Sequence, residues 1–314
     1  MLIYRLILGP IFIFSLAALC WLDFHAARPG IYLLPLAIVL SLLGAGELLA
    51  MFQRRDDASQ PLPWVVYGGT LLTVLAAGAP GLLPAEWTRS LFLGRLGWLA
   101  IGLAAGLLLA IIGELWRYDK SGSATLNLAR STFAIVYIGG LMGFLVQLRL
   151  FSGGAADPLN HWGMLALLSL VATVKMSDIG QYTTGRNFGR HKLAPIVSPG
   201  KTWEGAAGGL LFAVVAAWFV FGWVARHMFT STETVPDTAA SQTSLLAVAF
   251  FALVVAAAGI VGDLAESMLK RDADVKDSSS WLPGFGGVLD LLDSLLGAAP
   301  VVYLLWALGI VGPH

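Results

Sequence analysis

Long apolar runs separated by short polar segments dominate the chain. Nine of these runs reach the roughly 18 residues that a helix needs to cross a bilayer. They lie at residues 4–22, 30–52, 63–84, 91–115, 124–148, 162–184, 205–228, 243–265 and 287–311. The pattern therefore predicts an all-α fold: a polytopic helical integral membrane protein with about nine transmembrane helices.

The polar connections between the runs are short, which leaves no room for a separate soluble domain. We divide the chain into two regions. Residues 1–150 form an N-terminal region with about five transmembrane helices. Residues 151–314 form a C-terminal catalytic transmembrane region, because two polar segments with candidate chemistry, 185–204 and 266–286, both lie there.

The composition agrees with membrane insertion. Of the 314 residues, 57% are hydrophobic and only 12% are charged, and the mean hydropathy is +0.78. The net charge is zero, which argues against a nucleic-acid partner. Cys20 is the only cysteine, so we expect no internal disulfide and no cysteine-based metal site. The first run lacks a small-residue cleavage site, and we interpret it as a retained helix.

Lysines and arginines are unevenly distributed between alternate connections. Cytoplasmic loops of membrane proteins are enriched in these residues. The N-terminus and every second loop hold thirteen of them, at positions 5, 54, 55, 117, 120, 130, 186, 190, 192, 201, 270, 271 and 276, and the opposite set holds five. The bias predicts an integral protein of the cell (inner) membrane whose N-terminus and two polar segments face the cytoplasm.

The first polar segment follows the sixth run. Asp178 and Tyr182 are four residues apart and so share a helix face, within a run where an ionisable side chain is costly. Arg186 lies in a basic turn, and residues 198–202 (Ser-Pro-Gly-Lys-Thr) form a polar turn before the seventh run. Amides, a lysine and hydroxyls in such a turn suit a triphosphate. A capped cytoplasmic loop is the alternative explanation.

A polar stripe marks the end of the eighth run. Asp263, Ser267, Lys270 and Asp274 recur at helical spacing, so they are expected on one face of the eighth helix. The stripe would carry charge from within the membrane to its surface. Ionisable residues at membrane depth usually serve a function or pair with one another.

A second pair of acids, Asp290 and Asp293, opens the ninth run. Together with Asp263, these carboxylates suit a hard divalent cation such as Mg²⁺. Glycines at 284, 286 and 287 would allow the backbone to approach a ligand closely. The alternative is that the acids simply pair with the bases of the same segment, Lys270, Arg271 and Lys276.

The two segments resemble the motifs of the phosphatidate cytidylyltransferases, also called CDP-diacylglycerol synthases. The downstream motif is matched by Ser267, Lys270, Arg271, Lys276, Asp277, Pro283, Gly286, Gly287, Asp290 and Asp293. The upstream motif is matched by Asp178, Gly180, Tyr182, Gly185, Arg186, Gly189, Ser198, Pro199, Lys201, Thr202, Trp203, Glu204 and Gly205. The resemblance covers residues 175–294; the first five runs match only in hydrophobic character.

Two positions depart from the family pattern. Phe285 stands where the family has His, and Leu291 stands where it has Arg. Neither position is a presumed metal ligand, and every acid of the motif is retained. The departures raise two alternatives, an altered lipid substrate or a catalytically degenerate copy. The retained acids argue against the degenerate copy.

The resemblance implies transfer of CMP from CTP to phosphatidate, giving CDP-diacylglycerol and pyrophosphate for phospholipid biosynthesis. It assigns Mg²⁺, with room for a second cation, to Asp263, Asp290 and Asp293. It assigns catalysis to Asp263, Lys270, Arg271, Lys276 and Asp290. It assigns substrate binding to Asp178, Tyr182, Arg186, Ser198, Lys201, Thr202, Ser267, Asp277, Gly286 and Gly287. The implied partners are CTP, phosphatidate, membrane lipids and a second copy of the chain in a homodimer.

Three other functions stay open at this point. The chain could be a CTP-dependent transferase or kinase acting on another lipid phosphate or on a polyprenol. It could be a transporter, because acids and bases within a membrane also line ion paths. It could be an inactive scaffold descended from the enzyme. A lipid-substrate panel, flux in liposomes and pyrophosphate release would distinguish these functions.

Overall fold

The computed structural model describes residues 2–54, 60–83, 94–119, 122–152, 157, 160–229, 244–279, 281, 284 and 286–312, of which residues 2–8 and 95 are described by their backbone alone. Nine helices follow one another in this part of the chain. They are α1 (Leu2–Phe24), α2 (Leu33–Gln53), α3 (Pro63–Leu82), α4 (Gly94–Arg117), α5 (Ala124–Arg149), α6 (His161–Phe188), α7 (Trp203–Phe229), α8 (Leu245–Asp272) and α9 (Val288–Ala307).

Eight of these helices, α2 to α9, are long and apolar enough to cross a membrane. The remaining helix, α1, is apolar over Gly9–Phe24, a shorter stretch. Each helix coincides with one of the nine predicted runs, so the prediction of an all-α polytopic membrane protein is confirmed.

Two helices that carry the polar segments are longer than a bilayer requires. Helices α6 and α8 have 28 residues each, which corresponds to about 42 Å at 1.5 Å per residue, against a hydrocarbon core of about 30 Å. Their last turns, which contain Arg186 in α6 and Lys270 in α8, can therefore stand clear of the hydrocarbon core.

A short β-hairpin connects α6 to α7. Strands β1 (Lys192–Ala194) and β2 (Ser198–Thr202) pair antiparallel, with Lys192 opposite Thr202 and Ala194 opposite Ser198. The turn between them contains Pro195, whose fixed φ and missing N–H are compatible with a turn. The prediction of a polar turn at 198–202 is wrong, because these residues form strand β2 and the turn lies at residues 195–197.

The chain forms two compact units. The first contains residues 1–150 and 269–292, and the second contains residues 151–268 and 293–314. The last turn of α8 and the first turn of α9 thus belong to the first unit, together with the N-terminal helices. The remainder of both helices belongs to the second unit.

In the first unit, small residues allow helices to approach closely. A Cβ added to Gly102 on α4 would come 2.8 Å from the Cα of Thr73 on α3, and one added to Gly69 would come 3.4 Å from the Cα of Gly106. Interfaces of small residues are typical of membrane helices, because lipid provides no hydrophobic driving force between them.

A buried ion pair ties the first helix of this unit to the fifth. Arg149 at the end of α5 donates from Nε to Oδ2 of Asp23 at 2.5 Å, and the two side chains are 3% and 0% exposed. The Asp23 carboxylate also accepts hydrogen bonds from the backbone of Gly30, Tyr32 and Leu33. These bonds fix the connection that leads into α2.

In the second unit, glycines again set the helix contacts. A Cβ added to Gly297 on α9 would come 2.6 Å from the Cα of Gly262 on α8, and one added to Gly180 on α6 would come 2.8 Å from the carbonyl oxygen of Gly208 on α7. Gly180 belongs to the upstream motif, so part of that motif serves helix packing.

Candidate active site

Asp290, in the first turn of α9, is the centre of a hydrogen-bond network in the first unit. Lys270 Nζ donates to its Oδ1 at 2.6 Å, and each side chain is 12% exposed. Its Oδ2 accepts from the N–H of Gly287 at 2.8 Å and from both the N–H and the hydroxyl of Ser278, at 2.9 and 2.7 Å. Charge-assisted bonds of this kind are the strong ones. The structure therefore pairs one base and one acid of this segment, Lys270 and Asp290, and their predicted catalytic roles stay predictions.

Glu47 on α2 joins the same network, although no motif includes it. The hydroxyl oxygens of Ser278 and Ser279 lie within hydrogen-bond distance of its carboxylate, at 2.8 and 2.9 Å. It also accepts the N–H groups of Val288 and Leu289, each at 2.9 Å. Glu47 was not among the site residues predicted from the sequence. The signal that could have revealed it is a lone glutamate within an apolar run, where an ionisable side chain needs partners.

Gly286 and Gly287 make room for this network. A Cβ on Gly287 would collide with the Ser278 hydroxyl and the Glu47 carboxylate. Gly286 has a φ of +87°, which favours glycine, and a Cβ there would lie 2.5 Å from Oδ2 of Asp290. Both glycines thus have a visible packing role, and their predicted substrate contact stays a prediction.

In the second unit, Lys201 of the first polar segment contacts Asp263 in the polar stripe of α8. Lys201 Nζ, in β2, lies 2.7 Å from Oδ2 of Asp263 on α8, with side chains 15% and 27% exposed. Ser267, one turn further along α8, donates its hydroxyl to Oδ1 of Asp263 at 3.3 Å. Three predicted site residues are thus brought together.

Two more carboxylates of the second unit interact electrostatically with Asp263. Asp178 on α6 and Asp293 on α9 lie within electrostatic reach of Asp263 and of each other. Lys175 Nζ lies 3.5 Å from Oδ2 of Asp178, and the Ser294 hydroxyl contacts both Asp178 and Asp293. Three carboxylates and two lysines therefore concentrate charge among helices that are otherwise mostly apolar.

The donor chemistry of this acidic cluster fits the predicted cation. Carboxylate oxygens are the ligands that Mg²⁺ prefers, and a cation would relieve the repulsion between Asp178, Asp263 and Asp293. Among the described residues, no three His, Cys, Asp or Glu side chains form a ready-made metal-binding group. Asp290, the other expected ligand, is held by Lys270 in the first unit. The Mg²⁺ site stays a prediction.

The hydroxyl of Thr202 caps α7. It accepts a hydrogen bond from the N–H of Gly205 at 3.1 Å, and Thr202 is 5% exposed. Cβ atoms added to Gly185, Gly189 or Gly205 would lie 2.7 to 3.1 Å from this hydroxyl oxygen. The glycine spacing of the upstream motif therefore makes room for the cap. A nucleotide contact from Thr202 stays a prediction.

Glu204 binds the backbone at the start of the β-hairpin. Its carboxylate accepts the N–H groups of Arg190 and His191, at 3.1 and 3.2 Å, and contacts Nδ1 of His191 at 2.5 Å. The carboxylate therefore binds the backbone just before β1, and it lies in the first turn of α7, where negative charge is favourable. Glu204 thus fixes the start of the β-hairpin whose second strand contains Lys201.

The other predicted site residues lie at the surface or in β2. Tyr182 and Arg186 are exposed and bonded to each other, with 2.9 Å between the guanidinium and the phenol oxygen. Arg271, Lys276 and Asp277 are also exposed, and Ser198 is half-buried in β2. Leu291 is half-buried in α9, whereas Pro283 and Phe285 lie outside the described residues.

One expectation about the polar stripe is wrong. Helix α8 ends at Asp272, and Asp274 adopts a left-handed conformation with a φ of +53°. Asp274 therefore does not continue the helical face of Asp263, Ser267 and Lys270. Aspartate tolerates this conformation better than most residues, which makes it compatible with the turn that ends the helix.

Comparison with known proteins gives a consistent result. The model of the cytidylyltransferase family matches residues 3–308. The phosphatidate cytidylyltransferase of Bacillus subtilis is 31% identical over 279 residues, which cover 88% of this chain and 90% of that protein.

Two further relatives carry the same name. The phosphatidate cytidylyltransferase of Haemophilus influenzae is 40% identical over 199 residues, or 63% of this chain. That of Pseudomonas aeruginosa is 41% identical over 175 residues, or 55% of this chain. The chain spans 62% and 59% of the length of these two relatives.

Proposed function

Since the chain belongs to the cytidylyltransferase family, we propose that it transfers CMP from CTP to phosphatidate, giving CDP-diacylglycerol and pyrophosphate for phospholipid biosynthesis. The observation that carries the proposal is the ion pair of Lys270 and Asp290 at the start of α9, 2.6 Å apart. Each side chain is only 12% exposed, and taking two charges out of water is costly, so the pair favours a functional role over a purely stabilising one.

In the proposed reaction, an oxygen of the phosphatidate phosphate attacks the α-phosphorus of CTP. A new P–O bond forms, and the bond from that phosphorus to the bridging oxygen of the β-phosphate breaks, which releases pyrophosphate. The attacking oxygen is already anionic at neutral pH, so the reaction needs no strong general base. The protein has to align the two phosphates and stabilise the charge that develops.

Basic residues of both motifs supply that stabilisation in our proposal. In the first unit, Lys270, Arg271 and Lys276 bind phosphate oxygens, with Lys270 fixed by Asp290. In the second unit, Lys201 exchanges its contact with Asp263 for one with the triphosphate, and Ser198 and Thr202 lie in the same strand. Lysine acts here as a mobile point charge.

The acids have the complementary role. Mg²⁺ bound by Asp263 and Asp293 in the second unit would neutralise charge on the phosphates. Asp178 and Ser267 hold the neighbouring polar groups in place through Lys175 and Asp263. Tyr182, Arg186, Asp277, Gly286 and Gly287 complete the proposed substrate-binding set.

The proposal also covers the cellular location and the oligomeric state of the protein. The lysine and arginine distribution favours the inner membrane with the N-terminus and both motif segments in the cytoplasm, where CTP is found. Phosphatidate would then reach the site from the bilayer. A homodimer is a further part of the proposal, based on the family resemblance.

The decisive experiment uses the full chain purified in detergent with CTP, Mg²⁺ and phosphatidate. Pyrophosphate release and CDP-diacylglycerol are measured together, with and without the lipid. Equal amounts of both products, formed only with phosphatidate, would support the proposal. CTP binding without turnover would contradict phosphatidate as the acceptor, and a panel of lipid phosphates and polyprenols would then identify another. Absence of both binding and turnover would contradict the proposal altogether.

A further inference from the structure

The start of α9 lacks the side chain that usually caps a helix. The first N–H groups of any helix have no partner within it, and the residue before the helix commonly supplies a side-chain oxygen. Here that residue is Gly287, which has none. The N–H groups of Val288 and Leu289 instead donate to the two carboxylate oxygens of Glu47, each at 2.9 Å.

Asp290 supplies the other half of this capping arrangement. As the third residue of α9, it reaches back and accepts the N–H of Gly287 at 2.8 Å, as the acidic residue of a capping box does. The serine or threonine that would complete such a box is missing from the chain at this point. Glu47 on α2 takes its place, and Gly287 has to lack a side chain because the Glu47 carboxylate lies in the space that a Cβ would need.

Ser278 links the two carboxylates directly. Its hydroxyl oxygen lies 2.8 Å from Oε2 of Glu47 and 2.7 Å from Oδ2 of Asp290. A hydroxyl has one proton and can donate to one acceptor at a time. Ser278 is therefore shared between Glu47 and Asp290, and its backbone N–H is committed to Asp290 at 2.9 Å. The position of Glu47 sets the position of Ser278, and both set the orientation of Asp290.

We propose that Glu47 is a positioning residue for the nucleotidyl transfer, an inference that rests on the function proposed above. It caps α9 from a distant helix and, through Ser278, holds the Asp290 carboxylate in the orientation that pairs with Lys270. Its contribution is made without contact to a substrate. Through Glu47, helix α2 of the N-terminal region thereby orders part of the downstream motif, which lies in the C-terminal region of the sequence.

The test replaces Glu47 by Gln, which keeps the shape but puts an amide donor where an acceptor is needed. The control is Glu114→Gln, because Glu114 is also a half-buried glutamate of the N-terminal helices and bonds to Arg117 and Asn127 instead. Removal of a residue that orients an active-site group typically costs roughly 10- to 100-fold. We expect Glu47→Gln to lower kcat by that factor and to change the KM for CTP much less, whereas Glu114→Gln leaves both unchanged.

Two further measurements separate positioning from a general loss of stability. Hydrogen–deuterium exchange should rise in Glu47→Gln within residues 276–292 and stay unchanged in the rest of α2. The effects of Glu47→Gln and Ser278→Ala on kcat should be non-additive, because both act on Asp290.

Three results would overturn the proposal: an unchanged kcat, exchange that rises throughout the first unit, or fully additive effects of the two substitutions. If the wild-type protein makes no CDP-diacylglycerol, the proposed function fails. The exchange measurement still decides in that case whether Glu47 orders the start of α9.

Discussion

Lys201 Nζ and Asp263 Oδ2 are 2.7 Å apart, although Lys201 lies in the upstream motif and Asp263 in the polar stripe of α8. The contact places a mobile cation against an acid that also accepts the hydroxyl of Ser267. A phosphate ligand would compete with Asp263 for the lysine, and a cation would compete with the lysine for Asp263. In the proposed function, the pair would exchange partners when charged substrates bind.

Replacing Lys201 by Met should therefore weaken the use of CTP. Hydrogen bonds to charged groups are worth about 1.5–3 kcal/mol, so kcat/KM for CTP should fall roughly 10- to 100-fold. Steady-state kinetics with varied CTP measures the effect. Lys192→Met is the matched control, because Lys192 is an exposed lysine of the same hairpin. Equal effects of the two substitutions would contradict a specific role of Lys201.

Asp290→Asn should abolish CTP turnover while the protein still inserts into the membrane. The amide cannot keep both the ion pair with Lys270 and the acceptor contacts with Ser278 and Gly287. Misplacement of a catalytic group by 1 Å can cost roughly 100-fold, so a loss of at least that size is expected in pyrophosphate release. Asp274→Asn is the control, because Asp274 is exposed and asparagine tolerates its left-handed backbone. Near-wild-type turnover in Asp290→Asn would rule out its assigned role.

Gly287→Ala should disturb the start of α9. The added methyl would overlap the Ser278 hydroxyl and the Glu47 carboxylate, and forced overpacking typically costs about 1–3 kcal/mol. We expect a lower thermal midpoint in detergent and a reduced kcat. Gly222→Ala, in α7, meets no atom within 4 Å and serves as the control. A Gly287→Ala protein as stable and active as this control would disprove the crowding argument.

Asp23→Ala should destabilise the protein without acting on the chemistry. The substitution breaks a buried ion pair, which typically costs about 3–5 kcal/mol, and it also removes the acceptor for Gly30 and Tyr32. Unfolding in detergent measures this loss. The kcat of the protein that remains folded at low temperature should equal that of the wild type, and a selective fall in kcat would show that the pair has another role.

Removal of divalent cations by EDTA should stop turnover, and Mg²⁺ should restore it. Carboxylates that repel one another bind a hard cation favourably, and Asp293→Asn removes one of the three in the second unit. Calorimetric titration of the purified protein with Mg²⁺ should therefore show weaker binding in this variant. Full activity in EDTA, or unaltered Mg²⁺ binding in Asp293→Asn, would count against the metal assignment.

The helices could be predicted because membrane insertion leaves a strong and local signal in the sequence. Their ends could not be placed as well. Helix α6 continues to Phe188 and α8 to Asp272, beyond the ends of the apolar runs, because polar residues continue a helix readily outside the bilayer. The hairpin at 192–202 was not predicted, since Pro195, Pro199 and Gly200 indicate a turn and hide two short strands.

Candidate residues of the site could be proposed from the sequence, but the contacts between them could not. Spacing and family resemblance identified Lys270 and Asp290, and the structure pairs them. Glu47 could not be identified in this way, because its partners lie 231 to 242 residues away in the sequence. Local patterns contain no information on such a contact. Only the folded first unit brings α2 to the start of α9.

The cap that Glu47 provides for α9 has a consequence for biogenesis. Ribosomes make α2 before α9, so the Glu47 carboxylate has to wait within the inserted N-terminal helices until α9 emerges. The start of α9 and the Asp290 side chain obtain their hydrogen-bond partners only at that moment. Under the function proposed above, a nascent or truncated chain without α9 would lack the assembled site and would consume no CTP.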